Sequence, residues 1–158
     1  MPRDAGRAYR LFRQLAVAGA SRNASWQVGF CLDQGLGVAR NQSAAVEWYL
    51  RAATRDDKPE AMHNLALCYM AGQGVARNLT AAAEWFSKAA QWGRDEWIEV
   101  EDGVSQLKSR GLASAQFHLG LMYLEGIGVD VDEDLGMDYL HLAGDQELRS
   151  ACQKSPVV

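Results

Sequence analysis

No stretch of this sequence stays apolar for long. Hydrophobic residues make up 48% of the 158, yet they are scattered, so no segment reads as the roughly 20-residue apolar helix that a bilayer crossing needs. Basic charge is also short. Sixteen Lys and Arg against twenty Asp and Glu leave a net charge of −4, which argues against nucleic acid or a membrane surface as partner, since both usually demand a basic patch. Cysteine is scarce and odd in number, three in all, which fits a reducing compartment better than a disulfide scaffold. No nucleophile–base motif, Walker loop or dinucleotide fingerprint is present. The G-x-G segments carry no following Lys-Ser/Thr and no preceding strand, so they are not phosphate cradles. Catalysis would have to rest on carboxylates such as Glu47 and Glu84, which fall at equivalent, solvent-facing helix positions, so no catalytic residue and no enzyme are expected. Nothing calls for a cofactor.

What the chain does have is internal repetition, which decides architecture before any local reading. GLGV at 35–38 returns as GQGV at 72–75 and as GIGV at 126–129. The first interval is 37 residues and the second 54, longer by 17. The segment after each turn repeats as NQSAAVEWYLRAA, NLTAAAEWFSKAA and DEDLGMDYLHLAG. The segment before it repeats as ASWQVGFCL, AMHNLALCY and AQFHLGLMY. The register reaches the N-terminus, where RDAGRAYRLFRQLA aligns Ala8 with Ala45 and Ala82, and Leu11 with Trp48 and Trp85. The chain therefore begins in the middle of a repeat: either an upstream part precedes it, or the lone helix serves as a cap. MPRDAGRAYRLF lacks the apolar core of a secretory signal, and Asp4 with the repeat register makes it a helix rather than a transit peptide.

The pattern A-x-x-x-L-G-x-x-Y-x-x-G-x-G-V, then a capping residue, then A-x-x-W-aromatic-x-x-A-A, resembles the SEL-1-like repeat, a relative of the tetratricopeptide repeat. The resemblance spans roughly residues 3–144. Leu32 stands where repeat one should have Tyr, Tyr139 where repeat three should have Trp, and Gly136 and Gly144 replace small helix residues. It implies an all-α fold, a right-handed α/α superhelical solenoid of helix-turn-helix repeats (about 23–56, 60–93 and 112–144) with an N-terminal half-repeat at 3–19, an insertion at 94–111 and a C-terminal tail at 145–158. Such repeats cannot bury their apolar stripes alone, so the core should run continuously between neighbours.

In the resembled fold, first helices line a concave surface. Val28 and Gly29, Leu65 and Ala66, and Leu119 and Gly120 should pack inward with Tyr69 and Tyr123. The other stripe of each first helix, at i, i+4 and i+7, would face the groove: Trp26, Phe30 and Asp33; His63, Leu67 and Met70; Phe117, Leu121 and Leu124. An almost wholly apolar groove of this kind points to a protein partner presenting an amphipathic helix or an extended peptide. The competing reading is that the groove is filled by the chain's own tail or insertion. The function implied is an interaction scaffold or adaptor. The alternative is a permanent structural subunit of a large, even organellar, complex whose groove is buried by neighbours.

The insertion carries Trp97, Val100, Val104 and Leu107 at helix-like spacing opposite Asp95, Glu96, Glu99, Glu101 and Asp102. It is expected to form an extra helix or a longer second helix, with Trp97, Glu99 and Glu101 as a second contact surface; a solvated connector is the plain alternative. Asn41, Asn78 and Asp132 suit helix N-caps. Cys31 and Cys68, one repeat apart, would stand about 8–10 Å apart on stacked helices, too far for a disulfide, and are read as core thiols. Asp130, Asp132 and Asp134 imitate a calcium loop, but Leu135 and His141 stand where Gly and Glu are required, so they are read as cap and turn. His63, His118 and His141 show no metal spacing, and no metal is expected. Three N-x-S/T sequons begin at Asn23, Asn41 and Asn78; they matter only if a secretory signal lies upstream. The expected location is cytoplasm or a reducing organelle interior. No nucleic acid, membrane insertion or small-molecule substrate is expected.

Overall fold

The computed structural model describes residues 3–92, 98–99, 105–106 and 110–154. In chain order the elements are α1 (Arg3–Ala18), α2 (Ala24–Gln34), α3 (Gln42–Arg55), α4 (Pro59–Ala71), α5 (Leu79–Gln91), β1 (Ile98–Glu99), β2 (Ser105–Gln106), α6 (Arg110–Glu125) and α7 (Glu133–Lys154). Among the described residues the fold is all-α but for one two-stranded ribbon. Each of the helices α1 to α6 packs on the next in order, and α4 also meets α6 directly. The first helices of the last two repeats therefore touch past the second helix between them.

The helix boundaries follow from the repeated text. Asn41, Asn78 and Asp132 each accept a backbone N–H from three residues on, at Ala44, Ala81 and Leu135, all at 3.0 Å. Each bond satisfies one of the donors that a helix start leaves unpaired. Pro59 sits at the first turn of α4, where its missing N–H costs nothing. Gly35 and Gly72 end α2 and α4 in the left-handed conformation, closing the last turn as a C-cap glycine does.

The second glycine of each turn performs a different task. Gly37, Gly74 and Gly128 all have φ near 71°, and each lies directly on the first turn of the preceding second-type helix. A Cβ on Gly37 would overlap the Ala5 backbone, one on Gly74 the Gln42 backbone, and one on Gly128 the Leu79 backbone. Ala5, Gln42 and Leu79 are equivalent positions in the repeat, so this is one joint built three times.

The core runs unbroken from Ala16 to Tyr139. Val28, Leu65 and Leu119 are its inward leucine-type positions, and Ala66 packs with them. Gly29 lets α2 lie against α3: a Cβ there would stand 2.8 Å from the Tyr49 ring. Gly120 and Gly136 do the same between α6 and α7. The tryptophans are not the main fillers. Tyr49 and Phe86, the aromatics that follow them, are fully buried. Trp48 and Trp85 lie at the margin, covered by Arg51 at 5.2 Å and Lys88 at 4.2 Å from their ring centroids. The Arg51 guanidinium also donates to the Ala16 carbonyl oxygen at 2.9 Å, tying α3 to the end of α1.

Two expectations are corrected. In the insertion, Ile98–Glu99 pairs antiparallel with Ser105–Gln106, with Ile98 opposite Gln106 and Glu99 opposite Ser105. These residues pair as two short strands rather than lying in an extra helix. The β-branched Ile98 suits a strand, a signal that the helical spacing of the larger apolar residues hid. Trp97, Val100, Glu101, Val104 and Leu107 lie outside the described residues. The tail, read as polar with a single turn near Leu148, instead continues α7 through Gly144 to Lys154. Open space surrounds Gly144, and no proline follows it before Pro156.

Candidate partner-binding face

The outward stripe of the first helices is only half-buried in α2 and α4, and opens further in α6. Trp26 and Phe30, one turn apart on α2, stack at 5.6 Å between ring centroids with 23° between planes. Leu67 and Met70 follow on α4, partly buried and packed against the edge of the core. On α6, Phe117 is 48% exposed, and Leu121 is half-buried. Asp33 is the one charge in the ladders. Burial pushes the Cys68 thiol up to about 11, and the field of Asp33 acts in the same sense. Burial likewise raises Cys31. Both cysteines are free and buried, and protonated thiols in such surroundings are inert.

Two ladder residues turn into the packing. Leu124 lies against Gly136 of α7, where a Cβ would meet it at 2.9 Å. His63 enters a ring cluster. It meets Phe86 of α5 edge-on at 5.5 Å and His118 of α6 at 5.3 Å, while Phe86 and His118 stack at 5.0 Å with 4° between planes. Phe117 meets His118 edge-on at 5.8 Å. His118 Nδ1 lies 2.8 Å from the Ser114 carbonyl oxygen, so that nitrogen carries the proton. His63 Nε2 is buried without a hydrogen-bond partner. Burial pushes His63 down to about 4, and the field of His118 acts in the same sense. By repeat register His63 is equivalent to Phe117 and His118 to Asn64, so the sequence does not pair them. The phase between adjacent helices, which periodicity does not encode, brings them together. Among the described residues no third metal-ligating side chain joins them. Glu47 and Glu84 are exposed on the outer helices, and Asp132 serves as a cap.

The Sel1 repeat model matches residues 1–19, 23–57, 59–91 and 113–148. The chain belongs to the Sel1 repeat family. Its break between the last two matches falls on the insertion. Two solved structures are similar. One is a protective antigen present in uropathogenic Escherichia coli strains that displays an SLR fold; it is 30% identical with a TM-score of 0.72, over 87% of this chain and 25% of that one. The other is a Sel1 repeat protein from Oxalobacter formigenes, 27% identical with a TM-score of 0.71, over 90% of this chain and 52% of that one. The chain thus spans between a quarter and about half of these relatives' length. No curated protein matches it. Sel1 solenoids are a fold generally used for protein interaction, and the family is usually non-catalytic. None of the described helices is long and apolar enough to cross a membrane.

Proposed function

We propose that this Sel1 solenoid is a scaffold or adaptor that binds a partner's amphipathic helix or extended segment along the outward stripe of α2, α4 and α6. One observation carries the reading. In each first helix the inward positions Val28, Leu65 and Leu119 are sealed, while one face away the apolar ladder stays accessible, most openly at Phe117. Trp26, Phe30, Leu67, Met70, Phe117 and Leu121 would supply the anchors, because large apolar side chains seated in a shared groove dominate binding energy. Asp33 would meet a polar or basic group at one end. His63 and Leu124 would hold the floor of the groove rather than touch the partner.

The test compares three forms of the protein in quantitative pull-downs from native extract, after circular dichroism shows equal helix content. The wild type is set beside a ladder variant (Phe30→Asp, Leu67→Asp, Leu121→Asp) and an outer-helix control (Glu47→Lys, Glu84→Lys). Loss of the same partners from the ladder variant alone is the expected result. A partner list unchanged in the ladder variant, or lost equally in the control, sinks this assignment.

A further inference from the structure

The joint that holds α6 to α4 and α5 is built from different chemistry than the joint that holds α4 to α3. Asn64 and His118 are equivalent in the repeat, as are Tyr49 and Phe86. In the earlier joint Asn64 lies beside the Tyr49 hydroxyl, and neither group takes up a proton in mild acid. In the later one His118 stacks on Phe86 at 5.0 Å, and His63 closes a triangle with them at 5.3 and 5.5 Å. Three helices thus meet through three rings, two of them imidazoles.

Nothing around His63 is arranged to receive a charge. From α5 it meets Phe86, while Glu84 and Lys88 of that helix are exposed and Lys88 lies over the Trp85 ring. From α6 it meets His118, whose Nδ1 is taken by the Ser114 carbonyl oxygen. Towards α3 stands Asn64, which also reaches the Tyr49 hydroxyl. One turn back on α4, Glu60 pairs with Lys58 at 3.4 Å. Among the described residues no carboxylate acts on the His63 ring, and its Nε2 is buried without a partner. A proton there would have no acceptor and would face a second imidazole able to take one too.

This joint is also fastened differently. Residues 92–109 separate α5 from α6, whereas residues 56–58 suffice between α3 and α4, so packing rather than a tight turn keeps α6 on α5. Gln116 Nε2 donates across the joint to the Ala90 carbonyl oxygen at 3.4 Å, a long bond.

We infer that the joint is an acid-sensitive hinge: a proton taken up at His63 Nε2 undocks α6 from α4 and α5, while α1 to α5 stay packed. Undocking lets water solvate the imidazolium, which the closed joint cannot do. The closed joint keeps the ring neutral down to about pH 4, whereas an undocked ring titrates near 6.5. The opening constant should therefore rise on the order of tenfold between pH 7 and pH 5. None of this depends on what the groove binds.

Hydrogen exchange read by mass spectrometry at pH 7, 6 and 5, with rates corrected for the intrinsic effect of pH, tests it. A lone helix of 16 residues such as α6 is marginal in water, so its amides report undocking. Protection across α6 should fall about tenfold between pH 7 and pH 5 beyond any fall in α2 and α3. The repeat itself supplies the variants. His63→Phe installs the residue found at the equivalent Phe117, and His118→Asn the one found at Asn64. With helix content unchanged at pH 7, His63→Phe should remove the extra fall. If that variant loses helix, His118→Asn decides alone: by removing the opposing imidazole it must shrink the fall. Protection of α6 that ignores pH, or an extra fall that persists in His63→Phe, overturns the inference. So does an equal fall in α2 and α3, which would mean that acid melts the array as a whole.

Discussion

His63 shows how a single side chain in this array couples packing to pH. Its ring is wedged among Phe86 and His118 with Nε2 unpaired, so the folded state holds it neutral, down to about pH 4. The unfolded chain takes up that proton near 6.5. Between those values the unfolded state binds more protons, so stability attached to His63 is complete above 6.5 and lost as pH falls toward 4. The size is about 2 kcal/mol after allowing for the ring's residual exposure. His63→Phe should flatten that part of the curve. Urea denaturation of both proteins at pH 7 and pH 5 would check it, and equal pH sensitivity in the two would rule the explanation out. The sequence identified both histidines but not their meeting. Trp48 and Trp85 mark the repeat in the text, yet Tyr49 and Phe86 fill the core, because a one-residue shift around a helix separates the sealed face from its margin.

At the scale of elements, the turns, caps and inward slots could be read from repetition alone, since text that recurs in register must solve the same geometric problem each time. What repetition could not convey was the fate of text that does not recur. The insertion had no equivalent to copy from, and its helical spacing hid a pair of short antiparallel strands. The repeated joint yields a sharp expectation. Gly74→Ala combines a positive φ with backbone overlap at Gln42, and should destabilise the protein by about 2 kcal/mol or more. Gly144→Ala, in open space within a helix, should be neutral or stabilising by up to about 1 kcal/mol. Thermal melts of the pair would expose the contrast; similar losses at both sites would mean the joint is softer than its geometry implies.

For the whole molecule, stability is nearly a sum over neighbours in a line. The central helices α4 and α5 have packed repeats on both sides, whereas α1 packs chiefly on α2. Amide exchange should therefore be slowest in α4 and α5 and fastest in α1 and the far part of α7, read by mass spectrometry. Uniform protection would indicate a single cooperative block. The Gly37, Gly74 and Gly128 joints bear on how such a chain can change over time. They press turn against helix backbone along one edge, so a residue added there would have to break the stack. The opposite edge, where one repeat hands over to the next, has absorbed 17 extra residues between α5 and α6 while α5 and α6 remain in contact. An engineer wishing to graft a foreign loop, or a lineage acquiring a new specificity, has one side of this protein to write on and another that must be left as it stands.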